Sequence, residues 1–207
     1  MRVLIIFNHP YEGSFCNSIL NSVRQGLLTG KNEVDVIHLD NENFDPVMRA
    51  KDLRAFALAR KDPERAYELL DKQVLEYKEK ITQAEHIIFI FPIWWELMPA
   101  LTKGFIDKLI FPGISYEYKG KGSGMSSTLS RLKGVSMITT MNTPSILYRL
   151  IFGNAIKKAV LLGTFWKIGI KRREWISLTN VKSATKEKRE GWLRDLEMKF
   201  SVLDPNS

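Results

Sequence analysis

The chain has 207 residues, 44% hydrophobic and 26% charged, with a formal net charge of +8 and a single cysteine. That length suits one well-covered domain, and Cys16 alone excludes an internal disulfide and fits a reducing, cytoplasmic setting. Three scattered histidines offer no ligand spacing for a metal, and no apolar run is long enough to span a bilayer.

In chain order, Arg2–Phe7 reads as a first strand rather than a signal sequence, because its apolar run meets Asn8-His9-Pro10 within a few residues. Ser14 is placed to cap a helix whose apolar stripe is Ile19, Leu20, Val23 and Leu27, with Gly30 to end it. Val34–Leu39 is a second strand and Asn41–Pro46 a loop, followed by a short helix over Ala50–Ala59. Asp62-Pro63 is a cap with proline at the first helical position, and it predicts one helix with Ala66, Leu70, Val74, Tyr77 and Ile81 on its buried face. Ile87–Phe91 is a run of five apolar residues, the pattern of a strand buried on both faces. Pro92 is expected to end its ladder, and Pro99 to open a helix with Leu101, Phe105, Ile106 and Leu109 at helical spacing.

Further on, Lys119–Ser130 is rich in Gly, Ser and Lys and is expected to be a loop. Val135–Thr140 is a fourth strand, a helix lies within Leu147–Trp166, and Glu174–Leu178 is a fifth strand. A closing helix over Ala184–Phe200 carries Trp192, Leu196 and Phe200 in register. Strands alternating with helices predict an α/β fold, a three-layer sandwich whose parallel sheet has helices on both faces. Five strands suit the order 2-1-3-4-5, with its switch point between strands one and three.

Charge is unevenly placed. From Lys119 to Arg173 there is no Asp or Glu, against eleven Lys and Arg. Such a block makes a basic face that attracts nucleic acid, phosphorylated cofactors or an anionic membrane. Interleaved exposed aromatics and nucleic-acid motifs are not evident, so nucleic acid is not an expected partner.

The carboxyl ends of strands one, three and four should converge on one crevice. After strand one, the segment from Asn8 to Asn17 is a turn of small and hydroxyl residues that opens a helix, so it can present free N–H groups to an anion. His9 and Ser14 can add side-chain hydrogen bonds, although a helix cap is the commoner meaning of such a serine. Neither G-x-G-x-x-G nor a Walker A sequence is present. After strand three comes Pro92-Ile93-Trp94-Trp95, where one indole is expected to point inward and the other to lie near a planar ligand. After strand four comes Thr139-Thr140-Met141-Asn142. One loop for a phosphate and two flat loops for a ring system are what a flavin mononucleotide unit needs.

The chain resembles the flavodoxin-like NAD(P)H:quinone oxidoreductases over its full length. The carriers are His9-Pro10 with Ser14-Phe15, Phe91-Pro92-Ile93-Trp94-Trp95 followed by Pro99-Ala100-Leu101-Thr102-Lys103-Gly104, Ile114–Tyr118, Thr139-Thr140 and Glu190-Gly191-Trp192. The resemblance implies a flavodoxin-like fold and one flavin-binding domain over residues 1–207. It implies that His9, Ser14, Phe15 and the neighbouring Cys16 and Asn17 bind flavin phosphate. It further implies that the Pro92–Trp95 backbone lies against the isoalloxazine and that Thr139–Asn142 contacts its pyrimidine side. Tyr116 and Tyr118 then line the nicotinamide and quinone pocket across a homodimer interface. Tyr148 falls near the family's active-site tyrosine, whose role is to stabilise charge on the reduced flavin.

Three positions depart from the family pattern. Cys16 stands where Asn is common, and Met141-Asn142 stands where two glycines often follow. Asn154 lies nearest to a histidine that partners the tyrosine in mammalian quinone reductase. Asn donates a hydrogen bond but relays no proton at neutral pH, so proton delivery would fall to Tyr148 or water. The expected activity is hydride transfer from NADPH or NADH through FMN or FAD to a quinone-like acceptor. The rival readings are a flavin-binding regulatory partner of a membrane transporter and a flavodoxin-like electron carrier.

Overall fold

A computed structural model describes residues 1–120 and 124–204. Five strands, β1 (Arg2–Phe7), β2 (Glu33–His38), β3 (His86–Pro92), β6 (Gly134–Thr140) and β7 (Arg172–Leu178), form a parallel sheet in the order β2-β1-β3-β6-β7. This is the predicted 2-1-3-4-5 arrangement. A separate antiparallel hairpin of β4 (Tyr116–Tyr118) and β5 (Met125–Ser127) stands outside it.

The strands are apolar throughout because both faces are covered. On β1, Val3, Ile5 and Phe7 pack against α1 (Phe15–Thr29) and α7 (Lys186–Ser201). Leu4 and Ile6 point the other way, into a larger core. That core is closed by α2 (Ala50–Leu58), α3 (Pro63–Glu68), α4 (Lys72–Gln83), α5 (Ala100–Leu109) and a π-helix over Lys157–Trp166. Two glycines set close approaches. A Cβ on Gly26 would stand 2.2 Å from the Glu197 carbonyl oxygen, where α1 meets α7. One on Gly104 would stand 2.3 Å from Pro46, where the loop after β2 crosses α5.

Three expectations need correction. The helix after Pro63 is two helices, although Ala66, Leu70, Val74, Tyr77 and Ile81 are all buried as expected. It breaks where Asp71, in an extended conformation before α4, turns its carboxylate to Lys51 and to the buried Lys108 ammonium at 3.5 Å. These tertiary ion pairs leave no trace in local periodicity. The stretch Lys119–Ser130 contains β5, which pairs with the tyrosine strand, while residues 121–123 of that expected loop lie outside the described residues.

The helix within Leu147–Trp166 is instead α6 (Ser145–Leu150) and the π-helix, separated by Gly153 and Asn154, both left-handed at φ 59° and 54°. As expected, β3 ends at Pro92, whose register partner is Thr140. The Ile93 N–H bonds the Thr140 carbonyl, so the proline nitrogen faces the β1 side, where pairing has already ended at Ile90.

Candidate functional site

The parallel topology brings the carboxyl ends of β1, β3 and β6 side by side, and short contacts join the three loops that follow them. The Asn8 N–H bonds the Ile90 carbonyl at 3.1 Å, and Cys16 Sγ lies 3.3 Å from Thr140 Oγ1. The His9 and Trp94 rings meet edge to face at 6.3 Å between centroids. The first loop, the β3 turn and the β6 loop therefore share one rim.

On the β1 side, Ser14 caps α1 and its Oγ accepts the Asn17 N–H at 3.2 Å. The amides of Phe15 and Cys16, in the same first turn, have no acceptor among the described residues. His9 Nδ1 accepts the Tyr11 N–H at 3.1 Å, which leaves the ring proton on Nε2 as a donor. Burial lowers the His9 pKa, with Asp40 opposing, so the ring is neutral. Two helix amides, a hydroxyl and an imidazole N–H make a donor set that fits an anion such as a phosphate. Phe15 packs its ring against Trp192, 6.1 Å away. Burial pushes the Cys16 thiol up to about 11, so it is a packed group and no nucleophile near neutral pH.

Asn8 holds this side together and was not singled out by its sequence context. It is buried, its Nδ2 donates to Asp40 at 2.9 Å, and its Oδ1 accepts from the Thr102 hydroxyl at 2.8 Å and the Thr102 N–H at 3.2 Å. Pro99 precedes α5 without a side-chain cap, so Asn8 reaches across from β1 to satisfy the helix's first turn. A polar residue directly after an apolar strand is the one signal in the sequence that could have found it.

The β3 side is built differently. Trp94 and Leu97 exchange backbone hydrogen bonds of 2.9 and 3.1 Å around Trp95 and Glu96, which have φ of 49° and 64°. Two successive left-handed residues make a tight reverse turn that usually takes Asn or Gly. Neither indole enters the core: Trp94 is 46% and Trp95 98% exposed, which corrects the expectation that one ring points inward. The turn is latched from α6 and from the loop before it. The Tyr148 hydroxyl donates to the Glu96 carbonyl at 2.8 Å, and the Thr143 hydroxyl donates to Glu96 Oε1 at 2.8 Å.

Tyr148 is wholly buried, its hydroxyl also accepts the Ile156 N–H at 3.1 Å, and burial raises its pKa. Its one donor and one of its two acceptor positions are therefore used within the chain, and its visible work is to position the Glu96 carbonyl. Asn154 shares with Tyr148, Met141, Arg149, Trp175 and Ser177 the wall of a cavity of about 230 Å³.

In the β6 loop, the Thr139 hydroxyl accepts the Trp175 indole N–H at 2.9 Å, and the Thr140 hydroxyl faces Cys16. Met141 is buried with its N–H on the Leu178 carbonyl and its own carbonyl on the Val181 N–H. Asn142 is exposed and accepts the Lys182 N–H at 2.9 Å. Tyr116 and Tyr118 touch each other, with hydroxyls 3.5 Å apart, yet line separate cavities away from these loops. Tyr116 borders one of about 390 Å³ with Phe56 and Ile106, and Tyr118 one of about 300 Å³ with Arg60 and Gly113.

Comparison with known proteins gives a consistent picture. A family model described as a flavodoxin-like fold matches residues 1–199. The chain is 30% identical over 152 residues to NAD(P)H dehydrogenase [quinone] 1 of Cavia porcellus, covering 65% of this chain and 54% of that protein. It thus spans about half the length of that curated relative. An NAD(P)H:quinone oxidoreductase from Methanothermobacter marburgensis superposes with a TM-score of 0.84 at 23% identity, over 99% of both chains. An FMN-dependent NADH-azoreductase from Bacillus anthracis in complex with FMN does so with a TM-score of 0.74 at 14% identity, over 97% of this chain and 98% of that one. At these identities the two structural likenesses concern the fold.

Proposed function

The chain belongs to the flavodoxin-like family that its first 199 residues match, and from that membership we propose that it is a flavin-dependent NAD(P)H:quinone oxidoreductase. The observation that carries the reading is the shared rim, where a helix start with free amides lies beside the latched β3 turn. Names of relatives add support: one is a quinone dehydrogenase, and a structural neighbour holds FMN. When bound, FMN or FAD would supply the two-electron carrier by which hydride passes from NADPH or NADH to a quinone-like acceptor, the two substrates alternating in one pocket.

In this reading residues 1–207 act as one domain, and each group in the chain has a task. The His9 Nε2–H, the Ser14 hydroxyl and the first amides of α1 bind the flavin phosphate, with Phe15 and Asn17 fixing the loop. Pro92, Ile93, Trp94 and Trp95 lie against the ring system, and the segment from Thr139 to Asn142 closes its polar edge. Tyr148 positions the turn through the Glu96 carbonyl, and Asn154 lines the cavity behind it. Tyr116 and Tyr118 complete the acceptor pocket of a second copy in a cytoplasmic homodimer.

The test is direct. Purified protein should be yellow or turn yellow on titration with FMN or FAD, and NADPH or NADH should bleach it until a quinone restores the colour. Protein that binds neither flavin overturns the reading. Flavin that binds but is not reduced by either nucleotide favours a carrier.

A further inference from the structure

The two loops that hold the ring in the proposed function, residues 92–98 and 139–144, contain a single titratable side chain, Glu96. Its carboxylate reaches from the β3 turn to the β6 loop, where Oε1 accepts the Thr143 hydroxyl at 2.8 Å. Oε2 is buried with no hydrogen-bond partner, and no ion pair reaches the carboxylate among the described residues. The titratable group packed against Glu96 is Tyr148, a neutral hydroxyl that donates to its backbone carbonyl. A carboxylate tied to one hydroxyl alone is costly, and the backbone bonds between Trp94 and Leu97 close the turn without it.

We propose, resting on the function given above, that Glu96 supplies the proton that completes reduction of the acceptor, acting through the Thr143 hydroxyl. A quinone becomes a hydroquinone by taking up two electrons and two protons. Hydride from the nucleotide accounts for both electrons and one proton, which leaves one proton to be delivered. The other groups beside the three loops are already engaged. Tyr148 has one hydrogen and donates it to the Glu96 carbonyl, and His9 is neutral with its Nε2–H among the phosphate donors. The Cys16 thiol, pushed up to about 11 by burial, keeps its proton, and Asn142 and Asn154 have none to give. In the step itself the Glu96 O–H bond breaks as its proton passes to Thr143 Oγ. The Thr143 O–H bond breaks in turn as its own proton passes to the quinone oxygen. Thr143 ends as a hydroxyl donating to a carboxylate, which is the arrangement the structure holds. Water returns a proton to Glu96 before the next turnover, so each hydroquinone takes one hydride from the nucleotide and one proton from solvent.

Three variants of the full chain separate this task from mere latching of the turn. Glu96→Gln keeps an oxygen for the Thr143 hydroxyl but holds no acidic proton, Thr143→Val removes the hydroxyl, and Thr143→Ser retains it. Bound flavin is bleached with NADPH or NADH and then mixed with a quinone or with ferricyanide, which takes electrons and no proton. Glu96→Gln and Thr143→Val should each slow the return of colour by quinone about 100-fold more than by ferricyanide. Thr143→Ser should behave as the wild type with both acceptors. A second readout uses the chain without flavin. Its infrared difference spectrum between neutral and acid pH should contain a carboxylic-acid C=O band that Glu96→Gln lacks and Thr143→Val shifts. Equal slowing with both acceptors, or either Glu96→Gln or Thr143→Val matching the wild type, overturns the inference and leaves the proposed function standing. So does an infrared band that Thr143→Val leaves in place. A chain that binds no flavin, or whose flavin neither nucleotide bleaches, fails the proposed function and takes this inference with it.

Discussion

The two sides of the candidate site are held by opposite means. The β1 side is held by side-chain hydrogen bonds, in which Asn8 spends its side chain on Asp40 and Thr102 and Ser14 caps its helix. The β3 side is a turn of two left-handed non-glycine residues, with Trp95 almost fully in solvent, restrained by bonds from Tyr148 and Thr143. One side is fixed by buried hydrogen bonds from the residue that ends a strand. The other stays in place because a distant helix holds it there. Substitutions should therefore lower stability on the first side and release or reorient the turn on the second.

The largest effect is expected for Asn8→Ala. It removes three hydrogen bonds in a buried setting and leaves the Thr102 amide and hydroxyl without their acceptor, a loss of roughly 3 kcal/mol. Urea unfolding should show a lower midpoint with an unchanged slope. A loss under about 1 kcal/mol would mean that α5 does not depend on this bridge.

Tyr148→Phe comes next. The ring stays buried, but the Glu96 carbonyl and the buried Ile156 N–H each lose a partner, costing about 2 kcal/mol. Because the turn is held from outside, its effect on flavin fluorescence and turnover should exceed that of Asn8→Ala at equal residual stability. If the two variants affect both in the same proportion, the contrast between the sides fails.

What the sequence discloses follows the same division. The strands, the Ser14 cap and the order of the sheet were legible because apolar runs and capping chemistry act over a few residues. The turn was not. Trp94-Trp95 reads as one inward-facing ring beside one near a ligand until the left-handed backbone at Trp95 and Glu96 is seen, and nothing in a Trp-Glu dipeptide announces that conformation. The split at Asp71 and the latch from Tyr148 were hidden for one reason, that each depends on a partner more than 30 residues away or on another helix. The tyrosines of β4 show the converse: their pairing with β5 lies across the Gly- and Lys-rich stretch that composition assigns to a loop.

Trp95→Gly sharpens the comparison in the opposite direction. The side chain is exposed and its backbone is left-handed, so glycine relieves about 1 kcal/mol of strain and stabilises the fold. If the indole contributes to the ring pocket, the more stable protein should bind flavin less well. A destabilised Trp95→Gly would show that the indole makes contacts in the folded protein beyond those of the single chain.

The smallest effect concerns pH and belongs to the β1 side. Burial lowers the His9 pKa, so the folded chain resists protonation there, and its contribution to stability is present above the unfolded value near 6.5 and lost as pH falls through the lowered one. An anion seated on the Nε2–H reverses the sign, because the protonated ring is then the better partner. Without flavin, the acid limb of the wild-type stability curve should be slightly steeper than that of His9→Gln. With flavin phosphate bound, affinity for the wild type should rise as pH drops from 8 to 6 while His9→Gln stays flat. A flat wild-type profile would leave the phosphate to the helix amides of α1 alone, and would make His9 a loop residue held by Tyr11 rather than part of the cradle.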